Sequence, residues 1–465
     1  MKKKQVAQAI AAAVLALAAG QALGAAFALQ EQDGSGLGNA FAGGAAAAED
    51  ASTVWSNPAG MSRFSTVQVA GAVSGIFLSA KFNDSGSLPA FNQPLGGDGG
   101  QGGQSAAVPS FYLVVPINRD WAFGLGVGVP FGLETDWDSG WLGRYQALHS
   151  KVQTLNINPA ISWRVNDQFT LAAGVDYQQI KADFTSNVNY SGALATAAQT
   201  AAAQGLIPAS VVGPFIQATP GLDSSADISG NDWAWGWNVG VMWNITPDTR
   251  IGAQYRSSIK YDVNGNINIG NPTVSLPPSL APIGAALVPV VNSQLASGGV
   301  TASIKLPSIS NISIYSRLNP KWDVMGDVQY TNWSTIQQLA FVRTGPGATL
   351  PPTPENFSNV WRVSGGASYY LDDAWKFRGG IAWDESPVQD AYRTPRLPDQ
   401  NRFWLAGGVQ YTYMKQWKFD LGATYIWVSN GSSNQNEGNT AANGLIQGNY
   451  SSNVFVVGGQ VSYSF

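Results

Sequence analysis

The chain has 465 residues, only 12% of them charged, with a formal net charge of −4 and no cysteine. That balance gives no electrostatic footprint for nucleic acid, and the missing cysteine excludes a disulfide framework and thiolate chemistry. Glycine (53 residues) and tryptophan (17) are abundant while mean hydropathy is only −0.05. Such a mixture suits a sheet with one apolar and one polar face rather than a large aliphatic core.

Lys2, Lys3 and Lys4 precede an uncharged apolar run from Val6 to Ala19, and small residues follow at Ala22, Gly24 and Ala25. This is the pattern of a secretory signal over 1–24, too short to be a stable spanning helix, with cleavage expected after Gly24 and Ala26 as the competing position. Losing three lysines leaves 22 basic against 29 acidic residues, a net charge of −7. Elsewhere no run approaches about 18 apolar residues, so helical spans are not expected. Residues 25–63 are rich in Gly and Ala, compatible with short helices and tight turns, and contain the turn-prone Asn57-Pro58-Ala59.

From residue 64 onward the chain alternates with period two. In Trp121–Trp137 one face carries Trp121, Phe123, Leu125, Val127, Val129, Phe131 and Leu133, and the other Ala122, Gly124, Gly126, Gly128, Pro130 and Gly132. Strict alternation marks strands with two unlike faces. Fourteen such strands are predicted near 66–82, 109–117, 121–137, 151–165, 169–184, 233–245, 250–264, 303–318, 322–333, 361–371, 375–384, 402–413, 417–428 and 453–465. Short turns alternate with longer connections, the longest at 185–232 and 265–302. The apolar faces begin or end in Trp or Tyr, as aromatic girdles at lipid interfaces do. A basic residue on the lipid side would cost about 2–4 kcal/mol at midplane. Charges such as Arg256, Lys260, Asp262, Lys376, Arg378 and Asp420 are therefore expected in the lumen. The last strand ends on the aromatic Phe465, which resembles the signal read by the barrel assembly machinery. Together these features predict an all-β transmembrane antiparallel barrel of 14 strands in the outer membrane of a Gram-negative bacterium, surrounded by outer-membrane lipids and monomeric; a soluble sandwich is the competing architecture.

An ordered set of motifs runs along nearly the whole mature chain: AAFAL (Ala25–Leu29), GLGNAFAG (Gly36–Gly43), Asn57-Pro58-Ala59, GNDWAWGWNVG (Gly230–Gly240), YTNWSTIQQL (Tyr330–Leu339), YYLDDAWKFRGGIAWDESPV (Tyr369–Val388) and PDQNRFWL (Pro398–Leu405). This set resembles the FadL-type long-chain fatty acid transporters. The resemblance implies a barrel plugged by an N-terminal hatch, here 25–63, which carries hydrophobic molecules across the outer membrane. It further implies capture in an apolar groove between two external loops, transfer to a deeper pocket, and sideways exit where one strand kinks inward.

The residues support each part separately. Leu206, Val211 and Phe215 in one long loop, and Leu280, Leu287 and Val291 in the other, are candidates for the outer groove. Pro130 lacks an amide donor and Gly132 follows it, which weakens a ladder; with Phe131 they are the candidate kink. By resemblance, Asn57, Pro58 and Ala59 form the hatch turn abutting that kink. Phe27 and Ile228 match the family's deep pocket. Phe184 and Thr353 stand where family members that hold fatty acids place basic residues, and Ala182 replaces another apolar pocket residue. Losing both cations favours neutral hydrocarbons or terpenoids as an alternative to fatty acids, since a buried carboxylate without a partner is costly; Arg343 or Lys181 are candidate replacements.

Two other classes compete. A His-dependent hydrolase would need His149, the only histidine, in the barrel wall; the adjacent Asp384 and Glu385 face apart on a strand. A general porin would lack a hatch and apolar external loops. No nucleotide-binding signature, cofactor motif or metal-ligand set is present, so transport is expected to be passive.

Overall fold

The computed structural model describes residues 26–465; the expected export signal and its cleavage after Gly24 lie outside the described residues. The wall is built from β1 (Gln68–Asp84), β2 (Ser105–Pro116), β3 (Trp121–Gly128, resumed at Gly132–Asp136), β4 (His149–Arg164), β5 (Phe169–Asn189), β6 (Asp223–Asn244) and β7 (Thr249–Arg256, resumed at Ile259–Gly270). It continues with β8 (Gly298–Leu306, resumed at Ile309–Asn319), β9 (Trp322–Thr331), β10 (Val360–Tyr370), β11 (Trp375–Asp384), β12 (Arg402–Tyr413), β13 (Trp417–Val428, resumed at Gly431–Gln435) and β14 (Ile446–Ser464). Each strand pairs antiparallel with the next, and β1 pairs with β14 from Gln68↔Ser464 to Asp84↔Gly448. The sheet is a closed 14-stranded barrel, the form in which a sheet can satisfy its backbone in lipid.

Two aromatic belts flank the apolar outer face. At the short-turn end, Trp121 stacks on Trp163 (5.7 Å) and Phe169 on Trp243 (5.9 Å), with Trp322, Trp375 and Trp417 beside their own turns. At the other end Trp235, Trp361, Trp383 and Trp427 face outward. Inward, Arg378, Asp420, Lys376, Asp176 and Arg256 are buried.

One stretch departs from the predicted parity. Ile259, Tyr261 and Val263 point into the lumen, and Lys260 and Asp262 point out, where they form an exposed ion pair at 3.3 Å. Their cause is an irregularity at Ser257–Ser258. Asn238 pairs with Arg256, but Asn231 pairs with Asn264, one residue out of step. An inserted residue flips every side chain beyond it. Between those two registers β6 and β7 lose their ladder, and Ile259 fills the space. A Cβ on Gly236 would approach its Cγ1 to 2.7 Å.

Several strands also run farther than their alternation predicts. β5 reaches Asn189 and β6 begins at Asp223. The long connections therefore shrink to 190–222 and 271–297, instead of 185–232 and 265–302. These extensions (Asp223-Ser224-Ser225 is one) have no apolar outer face for a pattern to register.

Residues 26–63 lie inside the barrel as short helices α1 (Gly34–Leu37), α2 (Gly44–Ala47) and α3 (Thr53–Ser56), followed by a 3₁₀ turn, Pro58–Arg63. Asp33 caps α1 by accepting from the Gly36 amide at 2.5 Å. Glu49 accepts from Lys376 and Arg378, both at 2.6 Å, and Arg378 also reaches Asp420 at 2.5 Å. The fit against the wall is close: a Cβ on Gly252 would lie 1.8 Å from the Ala45 carbonyl oxygen.

Candidate functional site

β3 breaks at Val129–Phe131. Its first half pairs with β2 up to Phe111↔Val127, but its second half pairs with β4 alone among the barrel strands. Pro130 has no amide to donate, and the chain turns inward. The free backbone groups are met from inside the barrel. The Leu29 amide donates to the Pro130 carbonyl at 2.8 Å, and the Gly132 amide donates to the Phe27 carbonyl at 2.8 Å. Thr154 accepts from the Phe131 amide at 2.9 Å, and Gln32 donates to the Val129 carbonyl at 2.7 Å. Phe27–Leu29 thus acts as a short strand laid into the kink.

This corrects the placement of Asn57-Pro58-Ala59. The turn does not meet Pro130, Phe131 and Gly132. Asn57 donates to the Ala45 carbonyl (2.8 Å) and to the Val241 carbonyl of β6 (2.9 Å), and accepts from the Ala59 amide (3.0 Å). Ala59 packs on Met242 and Ala172. Pro58 starts the 3₁₀ turn where its fixed φ suits the first position. The motif fastens the N-terminal segment to β5 and β6, two and three strands from β3.

The predicted deep-pocket residues divide. Ala182, Phe184 and Ile228 line one small apolar cavity with Val152, Ile180 and Val263. Phe27 belongs instead to an aromatic group at the kink. Its ring meets Trp333 (4.8 Å) and Phe131 (6.0 Å), and Trp333 meets Phe357 (6.0 Å). One continuous buried cluster nonetheless joins Phe27 to Phe184. Thr353 lies in a two-residue strand paired with Gln338–Leu339, and it is Leu339 that lines the cavity. Sequence reasoning missed Val152, Ile180 and Trp333. The first two were signalled by apolar side chains on the inward parity of their strands. Neither candidate cation serves the cavity. Lys181 points outward, and Arg343 donates to the carbonyls of Ala296 (2.7 Å) and Pro346 (3.0 Å).

The external candidates also differ from the expected open groove. Helices α4 (Tyr190–Ala203), α5 (Val212–Gln217) and α6 (Ala281–Gln294) pack into one apolar body. Phe215, Leu287 and Val291 are its buried centre, with Val211 packed at its edge. Leu280 is buried outside that cluster and Leu206 is 73% exposed. Apolar loop faces this large cover one another in preference to water.

Charge is distributed unevenly around the path. Below the apolar cluster, burial pushes the Glu31 carboxyl up to about 7, and neither of its oxygens has a hydrogen-bond partner. Burial and the neighbouring Asp50 push Asp33 to about 7 as well. Burial opposes ionisation of Glu49 too, yet Lys376 and Arg378 hold its carboxyl well below the usual range. A cavity of mixed lining, with Asp33, Glu49 and Arg378 beside Leu29, Phe41 and Trp55, lies here.

A closed barrel, a kinked third strand bonded from within, and an apolar cavity above a polar lumen are the context for the comparisons. The family described as outer membrane protein transport protein (OMPP1/FadL/TodX) matches residues 15–465. The chain belongs to this family. A long-chain fatty acid transport protein of Salmonella typhi is 32% identical over 420 residues, covering 89% of this chain and 90% of the relative. Outer membrane protein P1 of Haemophilus influenzae is 30% identical, covering 91% and 90%. Among solved structures, a Pseudomonas aeruginosa FadL homologue superimposes with a TM-score of 0.81 at 25% identity, over 95% of this chain and all of that one. The toluene transporter TodX of P. putida shares the fold at a TM-score of 0.63 and 16% identity, over 93% and 98%. This FadL-family chain is an outer-membrane channel for hydrophobic substrates and not an enzyme.

Proposed function

We propose that the chain takes up long-chain fatty acids, moving them from the external loop body to the cavity beside Phe184 and out sideways at the β3 kink. The observation that carries the reading is the pairing of Phe27–Leu29 with Pro130–Gly132. The apolar cluster reaches the kink, and the wall ladder is interrupted there. Hydrogen bonds of this kind contribute about 1 kcal/mol each, so a ligand that displaces Phe27 can release the segment at modest cost. α4 and α6 supply the capture surface, since separating them exposes Phe215, Leu287 and Val291. Neutral hydrocarbons are the second reading, favoured by the apolar lining of the cavity itself.

The test is a reversible lock. Ala28 and Phe131 face each other in an antiparallel bridge flanked by the two hydrogen bonds. Such non-bonded pairs have Cα atoms about 4.5 Å apart, within disulfide reach, and the chain has no competing cysteine. Oxidised Ala28→Cys/Phe131→Cys should lose at least tenfold in palmitate uptake by cells, and reductant should restore it. Unchanged uptake in the oxidised form would rule out exit at the kink.

A further inference from the structure

The connection between β11 and β12 reaches across the mouth of the barrel and carries Arg393 and Arg396, with Arg402 opening β12. Arg393 is consumed by structure: it donates to Asp390 (2.6 Å), to the Asp399 carbonyl (2.9 Å) and to the Ser432 carbonyl. Arg402 is held by the Asp399 carboxylate. Arg396 differs. Among the described residues its guanidinium makes one hydrogen bond, to Ser150 Oγ at 3.1 Å, and no carboxylate lies within 4.0 Å. Glu437 and Glu355 act on it from beyond ion-pair distance. The guanidinium carbon sits 5.3 Å from the centre of the Phe184 ring, which in turn packs edge-on against Phe341 at 6.0 Å.

Position makes this cation informative. Arg396 lies just outside the apolar cavity, across the Phe184 ring that lines it. Ser150 is two residues from the cavity residue Val152 on the same inward face of β4, a step of about 7 Å along a strand. The backbone beside Arg396 is fixed rather than loose. Trp137 Nε1 donates to the Pro395 carbonyl (3.1 Å), and Thr135 donates to the Arg396 carbonyl (3.3 Å). Both donors belong to the part of the chain beyond the β3 kink.

We propose that Arg396 is the anchor for the carboxylate of an amphiphilic substrate whose hydrocarbon chain occupies the cavity beside Phe184. A half-buried guanidinium with open donors gains by pairing with an anion, and its planar fork matches a carboxylate in two hydrogen bonds. The acids around it do not already fill that role. Burial pushes Glu355 up to about 8 and Glu437 up to about 7, with Arg396 opposing both shifts from a distance. Near neutral pH the mouth of the cavity is therefore spared two full negative charges that would repel a carboxylate. The inference rests on the fatty acid reading and selects it over the neutral-hydrocarbon one. It supplies a cation from a third segment where positions 184 and 353 carry none.

The purified full-length protein in detergent, titrated with palmitate and with the neutral isostere 1-hexadecanol, tests it. Arg396→Gln should weaken palmitate at least tenfold and leave hexadecanol within twofold; Arg396→Lys should recover part of the palmitate affinity. Equal loss for both ligands, or no loss for palmitate, would overturn the anchor. Should Arg396→Gln fail to assemble, Glu355→Gln addresses the same point. Above pH 8 it should tighten palmitate severalfold and not hexadecanol, and no difference would overturn the proposal. Wild-type protein that binds hexadecanol but not palmitate sinks the anchor and leaves uptake of neutral molecules standing. Protein that binds neither sinks both readings.

Discussion

The two ends of the barrel are built on different terms. At the short-turn end, turns are two to four residues long, and several lumen charges are tied into a network with the N-terminal segment, as Lys376 and Arg378 are with Glu49. At the long-loop end, β3, β7, β8 and β13 are each interrupted, loops fold over the mouth, and an apolar cavity lies among buried charges such as Arg393, Asp399 and Arg402. We propose that the regular end seals and that the interrupted end, where the wall ladder is broken and the Arg396 guanidinium keeps open donors, handles substrate.

This contrast can be broken in several ways. Deleting 26–63 should turn a poorly conducting barrel into one with steady ion current in a planar bilayer, at least tenfold above the intact protein; equal currents would mean the segment seals nothing. Arg378→Ala strands Glu49 and Asp420 without their shared cation. Losing one partner of a buried ion network costs about 3–5 kcal/mol, which urea unfolding of the folded barrel should register. At the kink, Trp333→Ala removes the ring that supports Phe27 and Phe131. The amides of Leu29 and Gly132 should then exchange with deuterium at least tenfold faster, while amides in β12 stay protected.

At the loop end, the folded-state pKa values of Glu355 and Glu437, about 8 and about 7, lie above the ordinary 4.5. The folded state therefore binds more protons than the unfolded one in that interval, and its stability falls as pH rises. The contribution is complete below about 4.5 and lost by about 8. Limited proteolysis of the external loops should accelerate several-fold between pH 5 and 9, and Glu355→Gln/Glu437→Gln should flatten the dependence. The smallest effect belongs to the surface pair of Arg119 and Asp167, which lie 3.6 Å apart with side chains at least 80% exposed. Arg119→Ala should leave unfolding unchanged, because exposed pairs are screened.

Within the bilayer the strands were legible because lipid on one side and polar lumen on the other impose strict alternation. Trp121–Gly128 is readable for that reason. Where the two faces meet similar surroundings the code fails, as in Asp223–Asp232. The slip at Ser257–Ser258 was hidden because two serines belong to neither face, so the wrong parity was carried to Lys260. Asn57-Pro58-Ala59 announced a turn but not which wall it would meet. Arg396 was unreadable for a similar reason: its neighbours Ser150 and Phe184 lie in remote strands, and only closure of the barrel brings them together.

Closure has a consequence for how the chain becomes folded. β1 and β14 come from opposite ends of the sequence and pair along their full shared length, with the Phe465 amide donating to the Val67 carbonyl at 2.9 Å. Contacts so distant in sequence form slowly, and until they form the sheet has two open edges able to pair with other chains. The seam requires β14, so that strand is the part whose pairing removes both edges at once.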